Sequence, residues 1–344
     1  MNDRAVILLE KYDVEVLGTR KGRGAILCDT DKGCLIFKEY SGSENRIRLQ
    51  DRLLKHIAEC GKLSVESILP TKEGELLVKD NDGVNYVLKT YREGRECNIY
   101  DKAECMEAVR LLAGLHECMQ LSDCMDQSSE MPTDTEQSAY LVQPVIFSPG
   151  KEYEKRNREL KRVRKYLQQR SQKTWFEISL LNAYPMFLEQ ALVMTEEWSR
   201  YLEEWNESVP DISYQTYCHG DYQYHNIINT QGNWFLMNFE KCMADDPIRD
   251  LYLLMRKLLE KSNWSIPLGK AILETYESVR PISAISRIDL YYRLAYPEKF
   301  WKIVNFYYNS GKAWIPGRNQ EKLDKIIAQE PEKQKFLEEV FRTV

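Results

Sequence analysis

The N-terminal part of the chain alternates short apolar runs with turn residues. The runs VEVLG, GAILCDT and CLIFKEY are separated by Gly and Asp, and this pattern predicts three strands. From Ile47 to Ile57 apolar residues recur near helical spacing, and Gly61 follows as a stop signal, so a helix is predicted next. GELLVKD and NYVLKTY then flank the turn residues NDG, a pattern typical of a hairpin. The predicted order is three strands, one helix and two strands.

The pattern changes after the residues YREG. Residues 102–119 carry an apolar stripe at helical spacing, whereas 121–139 are polar and acidic and are predicted to form a loop. This shift in composition places a domain boundary between residues 93 and 94. We therefore predict an α+β protein with two lobes, a small β-rich lobe over 1–93 and a larger, mainly helical lobe over 94–344.

Three segments of the larger lobe stand out. Residues 151–173 carry ten Lys and Arg at helical spacing, further helix is predicted through 186–207, and 217–240 reads as a compact β segment. A charge run on a helix is usually a solvated face, and interleaved glutamates are placed to pair with these cations. The alternative function of the basic helix is to dock an acidic partner or a phosphorylated substrate.

Composition narrows the classes of function. The 344 residues are 43% hydrophobic, and 48 Lys and Arg against 53 Asp and Glu give a net charge of −5. A general nucleic-acid binder would show a basic excess, so nucleic acid is not an expected partner. The sequence holds no apolar run of membrane-spanning length and no secretory signal pattern at its start, so we expect no membrane partner and synthesis in the cytoplasm.

The cysteines give no sign of a metal or disulfide framework. There are nine of them, and no two form a CxxC pair. A structural zinc site is therefore not expected, and free, mostly buried thiols in a reducing compartment are predicted.

The segment that carries candidate chemistry begins with CHGD at residue 218 and ends at Glu240. Two apolar runs flank a polar turn that contains Gly232, which predicts a hairpin. Because residues 226 and 238 are equally far from Gly232, a symmetric hairpin would bring Asn226 opposite Asn238 at its open end. The residues around Asp221 lead into the same end, so we expect one polar cluster there.

Asp221 and Asn226 have the D-x-x-x-x-N spacing of the protein-kinase catalytic loop. In such a loop the carboxylate accepts a hydrogen bond from the substrate hydroxyl, and the amide oxygen reaches a Mg²⁺ that bridges the phosphates. Positioning and charge neutralisation then carry most of the catalysis. The alternative is that both side chains only satisfy backbone groups of a turn.

The pattern HGD-x-x-x-x-N-I-I followed by a hairpin resembles the aminoglycoside/choline kinase branch of the kinase-like fold, and more closely the CotS-like spore coat branch of that superfamily. The resemblance covers nearly the whole chain. Beyond the loop it includes the segments YREGREC, LAGLH, ELKRVR, DPIRDL and YPEKFW. It implies a kinase-like fold, ATP and Mg²⁺ as cofactors, a hydroxyl or amine acceptor of unknown identity, and deposition in the spore coat with other coat proteins as partners.

The resemblance implies roles for five residues of the larger lobe. Asp221 matches the catalytic base, and His219 matches the residue that braces its loop. Asn226 and Asn238 match the metal ligands. Asp250 matches a buried aspartate that supports the catalytic loop.

It also implies a nucleotide site on the small lobe. Lys38, in CLIFKEY, matches the lysine that contacts the ATP phosphates, although a lone strand lysine is otherwise usually exposed. The backbone of Leu88, Lys89, Thr90 and Tyr91 matches the segment that approaches the adenine.

The largest departure from the family pattern is Asn238, because active members carry an aspartate there that binds Mg²⁺. An amide oxygen carries no charge, and Mg²⁺ prefers anionic oxygens, so metal binding is expected to be weakened. Glu240 is a candidate to restore the charge, since residues i and i+2 face the same way on a strand.

Two further departures concern the phosphate contacts. The turn GTRKGRG lacks the G-x-G-x-x-G pattern, and Arg20, Lys21 and Arg23 are either phosphate contacts or part of a solvated turn. The helix after the third strand has no clear glutamate to pair with Lys38, and Asp51 is the candidate partner.

Two functions therefore stay open. The first is an ATP-dependent phosphotransferase in which Asp221 orients the acceptor, Asn226 and Asn238 share Mg²⁺, and Lys38 holds ATP. The second is a catalytically inactive pseudokinase that acts as a scaffold of the spore coat. The residue that distinguishes them is Asn238.

Overall fold

The computed structural model describes residues 3–22, 24–120, 149–208, 216–309 and 317–342. Its fold is α+β, as predicted. The chain forms two compact units, of which the first consists of Met1–Thr133, Gln215–Leu254 and Thr275–Arg280 and the second of Asp134–Tyr214, Met255–Glu274 and Pro281–Val344. The predicted loop 121–139 and Arg23 lie outside the described residues. The lobe boundary after residue 93 stays a prediction.

The first unit contains most of the strands. After a 3₁₀ helix at Asp3–Lys11 its elements are β1 (Val16–Gly22), β2 (Ala25–Thr30), β3 (Gly33–Glu39), α1 (Glu44–Glu59), β4 (Ser64–Val65), β5 (Ile68–Leu69), β6 (Val78–Lys79), β7 (Asn85–Thr90), β8 (Arg95–Glu96) and α2 (Lys102–Cys118). Further along the chain come β9 (Tyr217–Cys218), β10 (Ile227–Thr230), β11 (Asn233–Leu236) and β12 (Met243–Ala244), with 3₁₀ turns at Tyr224–Asn226 and Phe239–Lys241.

The second unit is helical in its described part. Its helices are α3 (Pro149–Gln169), α4 (Trp175–Ser208), α7 (Ala284–Ala295), α8 (Glu298–Asn309) and α9 (Gly317–Phe341), while α5 (Ile248–Lys261) and α6 (Ile266–Glu277) contribute residues to both units. None of the described helices combines the length and the apolarity needed to cross a bilayer.

The main sheet of the first unit runs in the order β1-β2-β3-β7-β5, and β6 pairs with β7 as the NDG hairpin predicts. In the antiparallel register of β3 and β7, Ile36 lies opposite Lys89 and Lys38 opposite Val87. Because side chains alternate across a strand, both lysines project from the same face of the sheet. The opposite face packs into an apolar core that includes Phe37.

A second, small sheet has the order β4-β11-β10-β8. In it β4 pairs in parallel with β11, and β8 pairs antiparallel with β10. The sequence pattern predicted the β10–β11 hairpin of this sheet but not the addition of β4 and β8, because strands of two residues are too short to show a period of two. Its consequence is that the segment between β4 and β5 lies beside the end of the 227–236 hairpin.

Helix α4 begins earlier than the pattern predicts and continues through Pro185. A proline inside a helix costs about 3 kcal/mol or more. Residues before and after it, including Phe176, Leu180 and Phe187, are buried in one core of the second unit. Packing of this apolar face therefore outweighs the local preference to break the helix.

Candidate functional site

The side chains of two lysines and two glutamates contact one another on one face of the main sheet of the first unit. The Lys38 ammonium lies 2.8 Å from Oε1 of Glu240 and donates to Oδ1 of Asn238 at 3.2 Å. The Lys89 ammonium lies 3.0 Å from Oε1 of Glu66 and also bonds to Glu240. Lys89 and Glu66 are each only 1% exposed. We call these four charged residues the lysine–glutamate network.

The network contains two basic and two acidic side chains, and the pKa values of Glu240 and Lys89 both shift toward the charged form. Burial would raise the pKa of Glu240, but the attraction of Lys89 and Lys38 outweighs it and lowers that pKa to about 2. Burial would likewise lower the pKa of Lys89, but Glu66 and Glu240 outweigh it and raise that pKa. The positive charge of Lys38 is thus neutralised by a side chain of the same chain.

Glu66 is a functional candidate that the sequence analysis missed. It lies between β4 and β5, and besides Lys89 its carboxylate accepts the backbone N–H of Phe239 at 3.0 Å and the amide of Gln50 at 3.4 Å. It therefore connects the sheet, α1 and the segment after the hairpin. The sequence does contain a signal for Glu66. It is the single charged residue of the run SVESIL, and Lys89 is the single charged residue of strand β7.

The hairpin register differs by one residue from the symmetric prediction. The turn is Gln231-Gly232, with φ of 56° and 96°, and the backbone N–H of Met237 donates to the carbonyl of Asn226 at 3.1 Å. Asn226 therefore pairs with Met237 on the backbone and not with Asn238. The two asparagine side chains still meet, because Asn238 leaves the strand in a left-handed conformation, φ 68° and ψ 53°.

The asparagine amides form a directed chain of hydrogen bonds. Lys38 donates to Asn238, the Asn238 amide donates to Oδ1 of Asn226 at 2.7 Å, and the Asn226 amide donates to the backbone carbonyl of Asp221 at 2.8 Å. The structure thus brings together Asn226, Asn238 and Asp221, the residues expected in one polar cluster, and adds Lys38 to them. Each amide oxygen in the chain already accepts a hydrogen bond from a protein group.

Both carboxylate oxygens of Asp221 are also engaged. Oδ1 accepts from the Gln223 amide at 2.6 Å, and Oδ2 lies 2.9 Å from the Lys241 ammonium. Burial would raise the pKa of Asp221, but hydrogen bonds from Lys241 and Gln223 outweigh it and lower that pKa. The group predicted to be the catalytic base is ionised and ion-paired.

His219 and Asp250 hold the loop before Asp221. His219 is fully buried; its Nε2 donates to the carbonyl of Met237 at 3.0 Å, and its Nδ1 accepts the backbone N–H of Asp221 at 3.2 Å. Asp250, equally buried, accepts the backbone N–H groups of His219 at 2.6 Å and Gly220 at 2.9 Å. The resemblance implies bracing and supporting roles for His219 and Asp250, and these contacts supply a physical basis for both.

Gly220 sits at the tightest point of this loop. Its φ is 77°, and a Cβ added there would lie 2.1 Å from the backbone carbonyl oxygen of Lys241. The loop before Asp221 and the segment after Glu240 are therefore in main-chain contact. Only glycine combines this dihedral angle with this approach.

Asp250 belongs to a buried cluster with His116 and Cys218 that has the residue types of a metal site. Both ring nitrogens of His116 have partners, Tyr276 at 2.8 Å and Asp250 at 3.3 Å. Burial raises the pKa of the Cys218 thiol well above its usual value, so it stays protonated. Within this cluster His116 and Asp250 bond to each other, while the Cys218 thiol donates to two backbone carbonyls at 3.3 and 3.5 Å.

The segment predicted to approach an adenine is central in the main sheet. Leu88 and Lys89 pair with β3 on one side and β5 on the other. The backbone N–H groups of Thr90 and Tyr91 donate to carbonyls of residue 67 and of β3, at 2.9 and 3.0 Å. The side chain of Lys89 faces the lysine–glutamate network. The adenine contact stays a prediction, and it would require backbone groups other than these two N–H groups.

Two other residues named in the prediction of the phosphate site have different partners. Arg20 pairs with Glu93 at the protein surface. Asp51 does not pair with Lys38 and bonds instead to Lys55 one turn along α1 at 2.7 Å. The partner of Lys38 is Glu240, which the period-two argument assigned to the metal. That argument fails because a 3₁₀ turn, not a strand, follows Asn238.

The donor set around the two asparagines does not fit Mg²⁺ as it is arranged. The oxygens of Asn226 and Asn238 are neutral and already accept hydrogen bonds, one of them from a lysine. The nearby carboxylates of Glu240 and Asp221 are each paired with a lysine. Mg²⁺ favours hard anionic oxygens and requires near-octahedral geometry. The assignment of Asn226 and Asn238 as metal ligands stays a prediction.

Comparison with solved structures identifies the fold. An aminoglycoside phosphotransferase from Alicyclobacillus acidocaldarius matches with a TM-score of 0.78 at 19% identity, over 99% of this chain and 96% of that one. The amicoumacin kinase hAmiN, solved with AMP-PNP, Ca²⁺ and Ami, matches with a TM-score of 0.58 at 12% identity, over 97% and 94%. The protein thus has the fold of the kinase-like phosphotransferases, as predicted.

The family follows from the sequence comparison. The model of the family described as "Spore coat putative kinase YutH" matches residues 6–340, and the chain belongs to this family. Spore coat protein S of Bacillus subtilis (strain 168) is 25% identical over 342 residues, which cover 95% of this chain and 89% of the relative. The predicted relation to the spore coat branch is confirmed.

Proposed function

We propose that this protein is a spore coat component whose kinase-like unit acts as a scaffold and does not catalyse metal-dependent phosphoryl transfer. Synthesis in the cytoplasm, deposition in the coat and association with other coat proteins are parts of this proposal, which the family membership supports. The single observation that carries it is the pairing of Lys38 with Glu240 inside the balanced lysine–glutamate network.

The argument is electrostatic. A phosphotransferase uses its strand lysine and its metal to neutralise phosphate charge. Lys38 already contacts the Glu240 carboxylate, so a phosphate that binds Lys38 would come close to this second anion. Like charges about 4 Å apart near a protein surface repel by roughly 4 kcal/mol. With the neutral Asn238 in place of an anionic ligand, the site lacks the charge to compensate through a divalent ion.

The alternative function, an ATP-dependent phosphotransferase, is supported by a different observation. Asp221 is ionised and its loop contacts Asn226, which contacts Asn238 and then Lys38. In this alternative the ligands are ATP, Mg²⁺ and a hydroxyl or amine acceptor. Kinase-like neighbours are solved with AMP-PNP and Ca²⁺ or with ADP, which makes nucleotide binding the property to test first.

The test is calorimetric titration of the protein with ATP and ADP, each with and without Mg²⁺, followed by a γ-phosphate transfer assay. We expect no Mg²⁺-dependent binding and no transfer. The double variant Asn238→Asp/Glu240→Gln supplies a charged ligand and frees Lys38, so it should bind Mg²⁺–ATP at least about tenfold more tightly than the parent, roughly 1.4 kcal/mol.

The matched control adds Lys38→Met to that double variant and should remove the gain. The scaffold proposal is wrong if the unaltered protein transfers phosphate with Mg²⁺ and if Lys38→Met or Asp221→Asn abolishes the transfer. That pattern would establish the phosphotransferase alternative.

A further inference from the structure

Helix α3 of the second unit presents a row of cations to solvent. Lys151, Lys155, Arg158, Arg162 and Lys165 are all exposed, and they recur at intervals of four, three, four and three residues. This spacing keeps them on one face of the helix. At 1.5 Å per residue the row is about 21 Å long. We call these five residues the α3 cationic stripe.

The stripe does not hold the second unit together. The opposite face of α3 does so through Tyr153, Leu160, Val163 and Leu167, which are buried in the core of that unit. The one buried cation of the helix, Arg156, pairs with glutamates and lies 4.3 Å from the centre of the Trp301 ring. Folding therefore explains Arg156, and the stripe residue Arg162 also lies 5.0 Å from the centre of the Tyr308 ring, but the described structure shows no such contact for the stripe lysines.

The interleaved glutamates do not neutralise the stripe. Glu152 bonds to Arg156, and Glu159 accepts the indole N–H of Trp301 at 2.7 Å, so both serve the packed side of the helix. Glu154 alone reaches a stripe residue, Arg158, at 3.9 Å. Within the described part of the chain, Lys151, Lys155 and Lys165 form no salt bridge. The predicted i,i+4 pairs thus form at Arg156 and Arg158, whereas the three stripe lysines are exposed and stay unpaired in this part of the structure.

We propose that the α3 cationic stripe is a docking surface for an acidic, extended segment of a partner protein. The inference rests on the scaffold role proposed above, and it supplies the contact that such a scaffold needs. A segment of about seven residues in extended conformation matches the length of the stripe. Carboxylates on alternate residues of that segment would recur every 6–7 Å or so, close to the mean spacing of the cations along α3.

The overall charge favours a short acidic segment over a nucleic acid or an anionic membrane. The chain carries a net charge of −5 although residues 151–173 contain ten cations, so the positive field is local. A polyanion or membrane surface that extends beyond the stripe would meet a mostly acidic protein and be repelled. A short segment meets the stripe alone.

The test is fluorescence anisotropy of the full chain with a labelled peptide of the sequence Glu-Ser-Glu-Ser-Glu-Ser-Glu at low ionic strength. The peptide with Gln in place of Glu is the neutral control. We expect binding of the acidic probe only, with affinity that falls as salt rises. The triple variant Lys151→Gln/Lys155→Gln/Lys165→Gln should weaken binding by about tenfold, a factor of roughly two for each exposed pair.

A matched variant controls for the loss of three charges. Lys322→Gln/Lys325→Gln/Lys335→Gln removes three exposed lysines of α9 in the same unit and should leave the affinity within about twofold. Equal weakening by both triple variants, or no binding of the acidic probe, would overturn the proposal. Tighter binding of single-stranded DNA or phosphatidylserine vesicles through the same three lysines would assign the stripe to a different partner class.

The nucleotide titrations are independent of this result. The nucleotide titrations use variants of residues in the first unit, and the peptide assay uses variants of residues in the second. If one proposal fails, the measurements that test the other are unaffected, so the two failures can be distinguished.

Discussion

The lysine–glutamate network and the α3 cationic stripe are both dense in cations, yet their charges are used in opposite ways. In the network every cation contacts a carboxylate, and Lys89 and Glu66 are almost fully buried. In the stripe the cations are exposed and largely without acidic partners among the described residues. The charges of the first region are paired with one another, whereas those of the second region are exposed to solvent.

The largest expected effect is on the buried pair. Lys89→Met removes the cation and leaves Glu66 buried without its main partner. Breaking a buried ion pair from one side costs about 3–5 kcal/mol, so the free energy of unfolding in urea should fall by that order. The double variant Lys89→Met/Glu66→Gln should recover much of the loss. If Lys89→Met is as stable as the parent, Lys89 and Glu66 do not form the buried ion pair described above.

The next effect concerns Asp250, whose carboxylate accepts two backbone N–H groups of the loop before Asp221. Asp250→Asn preserves size but removes the charge and turns an NH₂ group toward a donor. We expect a loss of about 2 kcal/mol in the free energy of unfolding. Denaturant titration measures this loss, and an unchanged midpoint would contradict the supporting role.

A further effect is expected in the pH dependence of stability. The pKa of Glu240 in the folded protein is about 2, below its ordinary 4.5, because Lys89 and Lys38 outweigh the effect of burial. Its contribution is therefore complete above about pH 4.5 and is lost as the pH falls toward 2, since the unfolded chain takes up the proton first.

Unfolding free energies of the parent and Glu240→Gln, measured across that range, should converge as the pH falls. Parallel curves would show that Glu240 is not held ionised by the two lysines.

The smallest effect is predicted for the stripe. Lys151→Gln/Lys155→Gln/Lys165→Gln removes exposed charges that make no salt bridge within the described residues, so the free energy of unfolding should change by less than about 0.5 kcal/mol. Thermal unfolding followed by circular dichroism measures it. A loss of unfolding free energy as large as that of Lys89→Met would show that the stripe stabilises the fold and would contradict the difference between the two regions.

Local patterns were enough to predict the main elements of the first unit. The strands around Lys38, helix α1 and the NDG hairpin follow from apolar spacing and turn residues, and the structure contains them. The meeting of Asn226 with Asn238 was also predicted, although by a symmetric register that the two-residue turn shifts by one position.

The sequence could not predict the charge pairing. Glu66 lies 23 residues from Lys89, and Glu240 lies 151 residues from it, so no local period connects them. The change from strand to 3₁₀ turn at Asn238 redirects Glu240 toward the lysines, and this depends on one left-handed residue. Long-range pairing of this kind is set by tertiary packing and leaves no spacing signal.

The contact of Gly220 with the carbonyl of Lys241 bears on how the family motif should be interpreted. A larger residue at position 220 would push apart the loop before Asp221 and the segment after Glu240, whatever chemistry the protein performs. Selection for folding alone would thus preserve the middle of the His-Gly-Asp signature. The fold alone explains the glycine of this signature. We therefore expect a relative without catalytic activity to retain it.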